Sequence, residues 1–260
     1  MIKFFRHIRK RLLTENKFSK YLLYAIGEII LVVIGILFAL QINTWNTTRE
    51  LKTQNQEFLK KMLTELDLNK VRLEYAIIKG VRGLPGLAKA SKACDSLLKL
   101  TYKGLKEKDL QYVLSAEIDG GGTALALNNS THEELLNTGK LYALGSDTLV
   151  NAITNYYKLV EREVLYNNAN AQIVENTFLE LNKGFLKLRL DYKMDPENFK
   201  LTNYPYYFNS NSKEYQDLQI GIDVMKSYQE LNLRKAKDLV KATEKMIATV
   251  SSELNFRGND

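Results

Sequence analysis

The chain has 260 residues, 37 lysines and arginines, 30 aspartates and glutamates, and a formal net charge of +7. Residues 1–20 contain seven of the bases and one of the acids, so residues 21–260 hold 30 bases against 29 acids. The folded part is therefore nearly neutral, which gives no basic surface for nucleic acid, and we predict no nucleic-acid partner. A single cysteine, Cys94, excludes an internal disulfide.

The first predicted element is the basic tail, residues 1–20, in which Glu15 is the one acid. A cluster of bases next to a membrane span stays on the cytoplasmic side and attracts anionic lipid headgroups. We therefore predict a cytoplasmic tail that contacts membrane lipid through Lys3, Arg6, Arg9, Lys10, Arg11, Lys17 and Lys20.

Residues 21–45, YLLYAIGEIILVVIGILFALQINTW, are predicted to form a transmembrane signal-anchor helix. Between Tyr21 and Leu40 the one charged residue is Glu28. Twenty helical residues rise about 30 Å, the hydrocarbon thickness of a bilayer. A cleaved signal peptide is the alternative, but the apolar run is longer than a signal core and lacks a small-x-small cleavage site.

The charges that flank the anchor predict its orientation. Seven bases precede it, whereas the first base after it is Arg49. The positive-inside rule then places residues 46–260 on the extracytoplasmic side. In a bacterium this is an inner-membrane protein whose main domain lies in the periplasm.

One face of the anchor combines small residues with its acid. On a heptad repeat this face contains Ala25, Glu28, Val32, Gly35, Ala39 and Ile42. Gly35 and Ala39 form a small-xxx-small pair that lets two helices approach closely. Two interpretations remain open: the face packs against another helix, or Glu28 extends towards the cytoplasmic headgroups.

Residues 46–260 are predicted to be helical throughout. Apolar residues recur at helical spacing from Arg49 to about Ile78, and no helix breaker separates this stretch from the anchor. Further helices are predicted over Leu87–Tyr102, over Glu107–Glu117, in a short segment after Thr131, from Asp147 towards Leu190 and from Lys213 to Leu254. The predicted fold class is all-α: a single N-terminal transmembrane helix continuing into an antiparallel helical bundle.

Three local signals mark helix ends in the middle of the chain. Thr131 and Glu134 form the pattern of a capping box. Gly139 is typical of a C-terminal stop, and Ser146 of the N-cap of the next helix. In this interpretation His132 lies in the first turn of a capped helix and faces solvent.

The sequence contains little that points to catalysis. It has two histidines, His7 in the tail and His132 in the domain, and Cys94 is interpreted as a small core residue. The glycines at 120–122 lack the residues of a phosphate-binding loop and are interpreted as a connector. We predict no catalytic residue, no metal site and no cofactor, and hence that the protein is not an enzyme.

Two blocks, residues 16–46 and 128–157, resemble an uncharacterised family of bacterial single-pass membrane proteins. The matching features are Ala25–Ile29 in the anchor and a Leu-x-x-x-Gly-x-Leu turn before a Tyr-Tyr pair, here Leu135, Gly139, Leu141, Tyr156 and Tyr157. His132 stands where an aromatic residue is more usual in that pattern. The resemblance implies location and topology and brings no activity.

These features predict a membrane-anchored, non-enzymatic interaction or scaffold protein, an accessory subunit of a cell-envelope membrane complex. Its expected partners are another membrane or envelope protein, a second copy of the chain, or both. The alternative is a periplasmic ligand-sensing domain that signals through a partner, because a tail of about 20 residues is too short for a folded output domain. A hydrolase or transferase ranks last.

Overall fold

The protein is all-α in the computed structural model, which describes residues 18–80, 84–119 and 125–258 and has no strand within them. These described residues form seven α-helices: α1 Phe18–Ile78, α2 Leu87–Tyr102, α3 Leu110–Ser115, α4 Ser130–Asn137, α5 Asp147–Lys183, α6 Lys187–Met194 and α7 Lys213–Gly258. Short 3-10 helices cover Glu107–Asp109, Lys140–Ala143, Leu201–Asn203 and Pro205–Phe208. The all-α prediction is confirmed. The predicted glycine connector at 120–122 lies outside the described residues.

The chain divides into two compact units, Met1–Glu57 and Phe58–Asp260. In the first unit, α1 begins at Phe18 and carries the apolar stretch. Of the helices in the described residues, α1 is the one long and apolar enough to cross a membrane, and no residue of its most apolar stretch is buried. The bases of the predicted tail from Lys3 to Lys17 lie outside the described residues, and Lys20 falls within α1.

The threonine hydroxyls after the apolar stretch find their hydrogen-bond acceptors within the helix itself. The Thr44 hydroxyl donates to the Leu40 carbonyl at 2.9 Å, and the Thr48 hydroxyl donates to the Thr44 carbonyl at 2.8 Å. The guanidinium of Arg49 lies 5.9 Å from the centre of the Trp45 ring. An aromatic ring with a polar neighbour is typical of a membrane–water interface.

In the second unit, α1 and α2 follow one another along α7, and both run antiparallel to it. The Lys70 ammonium pairs with Glu244 near the end of α7 at 2.8 Å. Further along the chain, the Lys226 ammonium pairs with Asp95 of α2 at 2.6 Å. Residues later in the sequence of α1 and α2 thus pair with residues nearer the start of α7, as expected for antiparallel helices.

The turn between α1 and α2 requires glycine. Gly80 has a φ of +73°, and a Cβ there would lie 2.1 Å from the Leu84 carbonyl oxygen. Gly86 lies against the end of α1, because a Cβ there would lie 2.5 Å from the Ile78 carbonyl carbon. A side chain at either position would collide with backbone, so the connection stays tight only with glycine.

The bundle contains two apolar clusters rather than one continuous core. The first joins α1 with the start of α5 and the end of α7, and the second joins α2 with the end of α5 and the start of α7. Between them lies a polar layer, in which Lys235 is half-buried and the other members are buried: Glu163, Asn167, Asn170, Gln229 and Asn232. Apolar residues of α7 that belong to the two clusters are buried: Leu218, Ile222, Met225, Leu239, Met246 and Val250.

Helix α5 ends earlier than predicted. Its last residue is Lys183, and Gly184 follows with φ −96° and ψ −117°, outside the helical region. A separate short helix, α6, then covers the residues that the prediction assigned to α5. Glycine accepts this conformation readily, which explains why the helix stops there although the apolar spacing continues.

Candidate functional site

The anchor face predicted to contact another helix is accessible in the single chain. Gly35 and Ala39 are exposed, as are the larger side chains Val32 and Ile42, whereas Ala25 and Glu28 are half-buried. A Cβ on Gly35 would have no heavy atom within 4 Å. Since no described residue fills the space beside Gly35, a second helix has room to approach it closely.

A buried carboxylate that sequence reasoning missed organises the second unit. Glu65 of α1 is 3% exposed and accepts three hydrogen bonds. They come from the Tyr157 hydroxyl at 2.7 Å, the Thr131 backbone N–H at 2.8 Å and the Ser130 hydroxyl at 3.1 Å. The negative charge lies at the N-terminus of α4, where the helix dipole favours it.

The same side of α1 holds the segment that leads into α4. The Asn69 amide pairs with the backbone of Asn128 through two hydrogen bonds of 2.6 and 2.7 Å. One turn further, the Arg72 guanidinium donates to the Ala126 carbonyl at 3.1 Å. Glu65, Asn69 and Arg72 are spaced four and three residues apart, so they form one ladder along the helix.

The capping-box prediction is wrong. Helix α4 begins at Ser130 with Asn129 as its N-cap, and no side chain of the N-cap accepts a helix N–H. Thr131 lies inside the helix, and its backbone N–H is bound by Glu65 instead. The carboxylate of Glu134 points away and lies 3.6 Å from the Lys61 ammonium. In contrast, Ser146 caps α5, accepting from the Leu149 N–H at 3.3 Å, and Gly139 ends α4 with a φ of +69°.

His132 is not the solvent-facing residue that was expected. Its ring stacks on Tyr157 with the centroids 4.2 Å apart and the planes at 7°. Its Nε2 atom is buried and has no hydrogen-bond partner. Burial lowers the pKa of His132, against the opposing effect of nearby carboxylates. Burial also raises the pKa of Tyr157, and its hydrogen bond to Glu65 acts in the same direction.

The polar layer between the apolar clusters contains one satisfied ion pair. Lys235 of α7 binds Glu163 of α5, and the Arg162 guanidinium donates to the same carboxylate at 2.6 Å. Burial acts to raise the pKa of Glu163, but the hydrogen bonds from Lys235 and Arg162 outweigh it, and the pKa is lowered. The charged form of the Glu163 carboxylate is therefore favoured.

Amides form the rest of the layer. The Asn170 side chain donates to the Asn232 side chain at 2.8 Å, and the Asn232 amide donates to the Asn167 carbonyl at 3.3 Å. The Asn167 side chain itself is fully buried, and neither its Oδ1 nor its Nδ2 atom has a partner. An unpaired buried amide destabilises the fold.

The structure confirms that Cys94 is a core residue. It is fully buried, its thiol lies 3.4 Å from the Gln229 side-chain oxygen, and burial raises its pKa to about 12. A thiol with such a pKa is almost entirely protonated at neutral pH, and the thiolate is the reactive form. Cys94 is therefore inert towards oxidants and alkylating reagents in the folded protein.

A surface groove of about 590 Å³ lies between the end of α5 and the start of α7. Its walls combine apolar side chains such as Phe185 and Ile220 with charged ones such as Glu214. The helices approach closely at its floor, because a Cβ on Gly221 would lie 2.8 Å from Leu181. No cluster of three or more metal-binding side chains occurs in the described parts of the chain.

Comparison with family models gives a match. A family model with the description "family of unknown function (DUF6090)" matches residues 28–191, from the acid of the anchor to α6. No curated protein and no solved structure matches the chain. The matched residues include the anchor face from Glu28, the Glu65 ladder and the Tyr156–Tyr157 pair. Because the match covers more than half of its length, the chain belongs to the DUF6090 family, a family of unknown function.

Proposed function

We propose that this protein is a membrane-anchored, non-enzymatic interaction protein, an accessory subunit of a cell-envelope complex in the bacterial inner membrane. The observation that carries the proposal is the exposed pair of small residues, Gly35 and Ala39, on the anchor face that also carries the half-buried Glu28. A plain tether needs neither an acid within its apolar stretch nor small residues on the same face.

The energetics support a protein partner for this face. An acid costs about 2.5–3.5 kcal/mol at the centre of a membrane span and less towards the interface. A neighbouring transmembrane helix reduces this cost by offering hydrogen bonds to Glu28. Gly35 and Ala39 then allow the close backbone contact through which helices associate in lipid.

The proposed orientation has the N-terminus in the cytoplasm and residues 46–260 in the periplasm. We expect a reporter enzyme that is active only outside the cytoplasm to work when fused after Asp260. The reason is the excess of seven bases over one acid in residues 1–20. The same reporter fused before the anchor is the control and should be silent. The reverse pattern would overturn the proposed location.

Substitutions on the anchor face test the interaction itself. Gly35→Leu should reduce recovery of the protein's membrane complex in a mild-detergent pull-down by about fivefold or more. The larger side chain separates the two helix backbones, and the packing energy lost is more than about 1 kcal/mol. Leu37→Ala is the matched control, since position 37 lies about 200° around the helix from position 35. Glu28→Ala should insert at least as well as the natural protein but also lose the complex.

Equal recovery of the Gly35→Leu and Leu37→Ala proteins would reject the interface. Glu28 would then be a residue that extends to the headgroups, and the helix would be a simple tether. Insertion is measured in the same samples by carbonate extraction of membranes. This separates a failure to insert from a failure to bind.

A ligand-sensing domain is the second candidate, and the groove between α5 and α7 favours it. Its volume of about 590 Å³ falls within the range of small-molecule sites. Native mass spectrometry of the purified protein tests this function. A small molecule that is retained by the natural protein and lost on Ile220→Glu, which places a charge on an exposed residue that lines the groove, would support sensing.

A further inference from the structure

Helix α1 carries an exposed apolar stripe in the second unit, on the side opposite the core. The stripe consists of Leu68, Val71, Tyr75 and Ile78, which are 51%, 58%, 49% and 67% exposed. Each of them follows two residues after a buried one: Leu66, Asn69, Leu73 and Ala76. Two residues correspond to 200° of rotation, so the helix presents one face to the core and the stripe to the outside.

The spacing of the stripe is that of a coiled coil. Its four residues are separated by three, four and three positions, as at the a and d sites of a heptad. Leu68 and Tyr75 then occupy a sites, and Val71 and Ile78 occupy d sites. A second helix that packs on these sites would bury all four side chains. Because the bundle already holds α1 in helical form, no folding cost opposes this packing.

The charges that flank the stripe identify the second helix. The g sites are acidic, with Asp67 and Glu74, and the e sites are basic, with Arg72 and Lys79. In a parallel pair each g site faces the e site five residues later in the other helix. Asp67 then meets Arg72 of the other copy, and Glu74 meets Lys79. In an antiparallel pair g sites face g sites, which would bring acids together.

We propose that the stripe is the dimer interface of this protein, occupied by the same stripe of a second copy in parallel orientation. Four side chains per copy are too few for a stable interface between free proteins. The dimer therefore rests on the proposed membrane anchoring, which confines both copies to one surface and raises their effective concentration.

A cysteine at position 71 tests the dimer in the full-length protein in native membranes. The natural Cys94 is buried and inert, so it does not contribute a background. Val71→Cys places a thiol at a d site, opposite its equivalent in the second copy. We expect mild oxidation to give a disulfide-linked dimer on non-reducing gels at least about tenfold faster than with Ile220→Cys. Position 220 is a matched control, because Ile220 is 64% exposed and lies on α7. Equal rates for the two variants would overturn the proposal.

Charge reversal tests the parallel orientation. In the Val71→Cys background, Glu74→Lys and Lys79→Glu should each slow cross-linking severalfold, and the double reversal should restore it. An antiparallel pair predicts the opposite for Glu74→Lys, since that residue would then face an acid. Acceleration by Glu74→Lys, or no rescue in the double variant, would overturn the parallel dimer.

Fractionation of the same membranes separates this proposal from the proposed function. A protein found in the membrane that cross-links no faster through position 71 than through position 220 rejects the dimer and leaves the anchored interaction protein intact. A protein found in the soluble fraction rejects the anchoring, and with it the tether on which the dimer depends.

Discussion

Replacing Glu65 with alanine is expected to lower the free energy of unfolding of the helical domain by about 3 kcal/mol. The substitution leaves the Thr131 N–H and the Tyr157 hydroxyl without an acceptor in the interior. Each unsatisfied buried donor costs about 1–3 kcal/mol. In a domain of this size, the loss corresponds to a fall in melting temperature of about 6–12 °C. Circular dichroism of the detergent-solubilised protein measures it.

Two variants control this experiment. Glu134→Ala removes an exposed carboxylate whose ion pair with Lys61 spans 3.6 Å, and should change stability by less than about 0.5 kcal/mol. Glu65→Gln keeps the shape and one acceptor oxygen but loses the charge at the N-terminus of α4, and should fall between the two. A melting temperature for Glu65→Ala equal to that of Glu134→Ala would contradict the structural role assigned to Glu65.

Replacing Asn167 with leucine is expected to raise stability, by about 1–3 kcal/mol. The Asn167 side chain is fully buried, and neither of its polar atoms has a partner. A leucine of similar size removes the unpaired amide and adds apolar contact in the interior. Only the side chain changes, so the Asn167 carbonyl remains available to the Asn232 amide. The melting temperature should rise by several degrees.

The same substitution three residues further along α5 provides the control. Asn170→Leu removes the donor to the Asn232 side chain at 2.8 Å and leaves a buried carbonyl oxygen without that hydrogen bond. It should therefore lower the melting temperature, although both variants replace a buried asparagine with leucine in one helix. If both variants shifted the melting temperature in the same direction, the difference in hydrogen bonding between Asn167 and Asn170 would not determine their effects on stability.

Local signals in the sequence predicted the helices well. The bounds of α2 were predicted without error, and α7 extends four residues beyond the predicted Leu254. Ser146 and Gly139 act as predicted because a cap depends on residues only a few positions away. The end of α5 was missed, because the apolar spacing continues past Gly184 into α6.

The contacts around Glu65 were missed because they join residues far apart in the chain. Thr131 and Tyr157 are 66 and 92 residues from Glu65, a separation that periodicity does not register. The supposed capping box and the solvent-facing His132 failed for this reason. One signal was present: Asn69 has the same helical spacing as Leu66 and Leu73, which places it on the core-facing side of α1. A polar residue at a core position indicates a buried partner.

The polar layer also restricts how α5 and α7 slide along each other. In the observed alignment Asn232 lies beside Asn170, and Lys235 lies beside Glu163. A slide of one turn in one direction would bring Asn232 against Val174, and in the other direction Lys235 against Val160. Either shift would bury an amide or an ammonium group among apolar side chains, which costs free energy. Two helices with only apolar side chains at their contact would meet no such cost on sliding. The layer thus lowers stability at Asn167 while it selects a single register for the longest helix pair of the bundle.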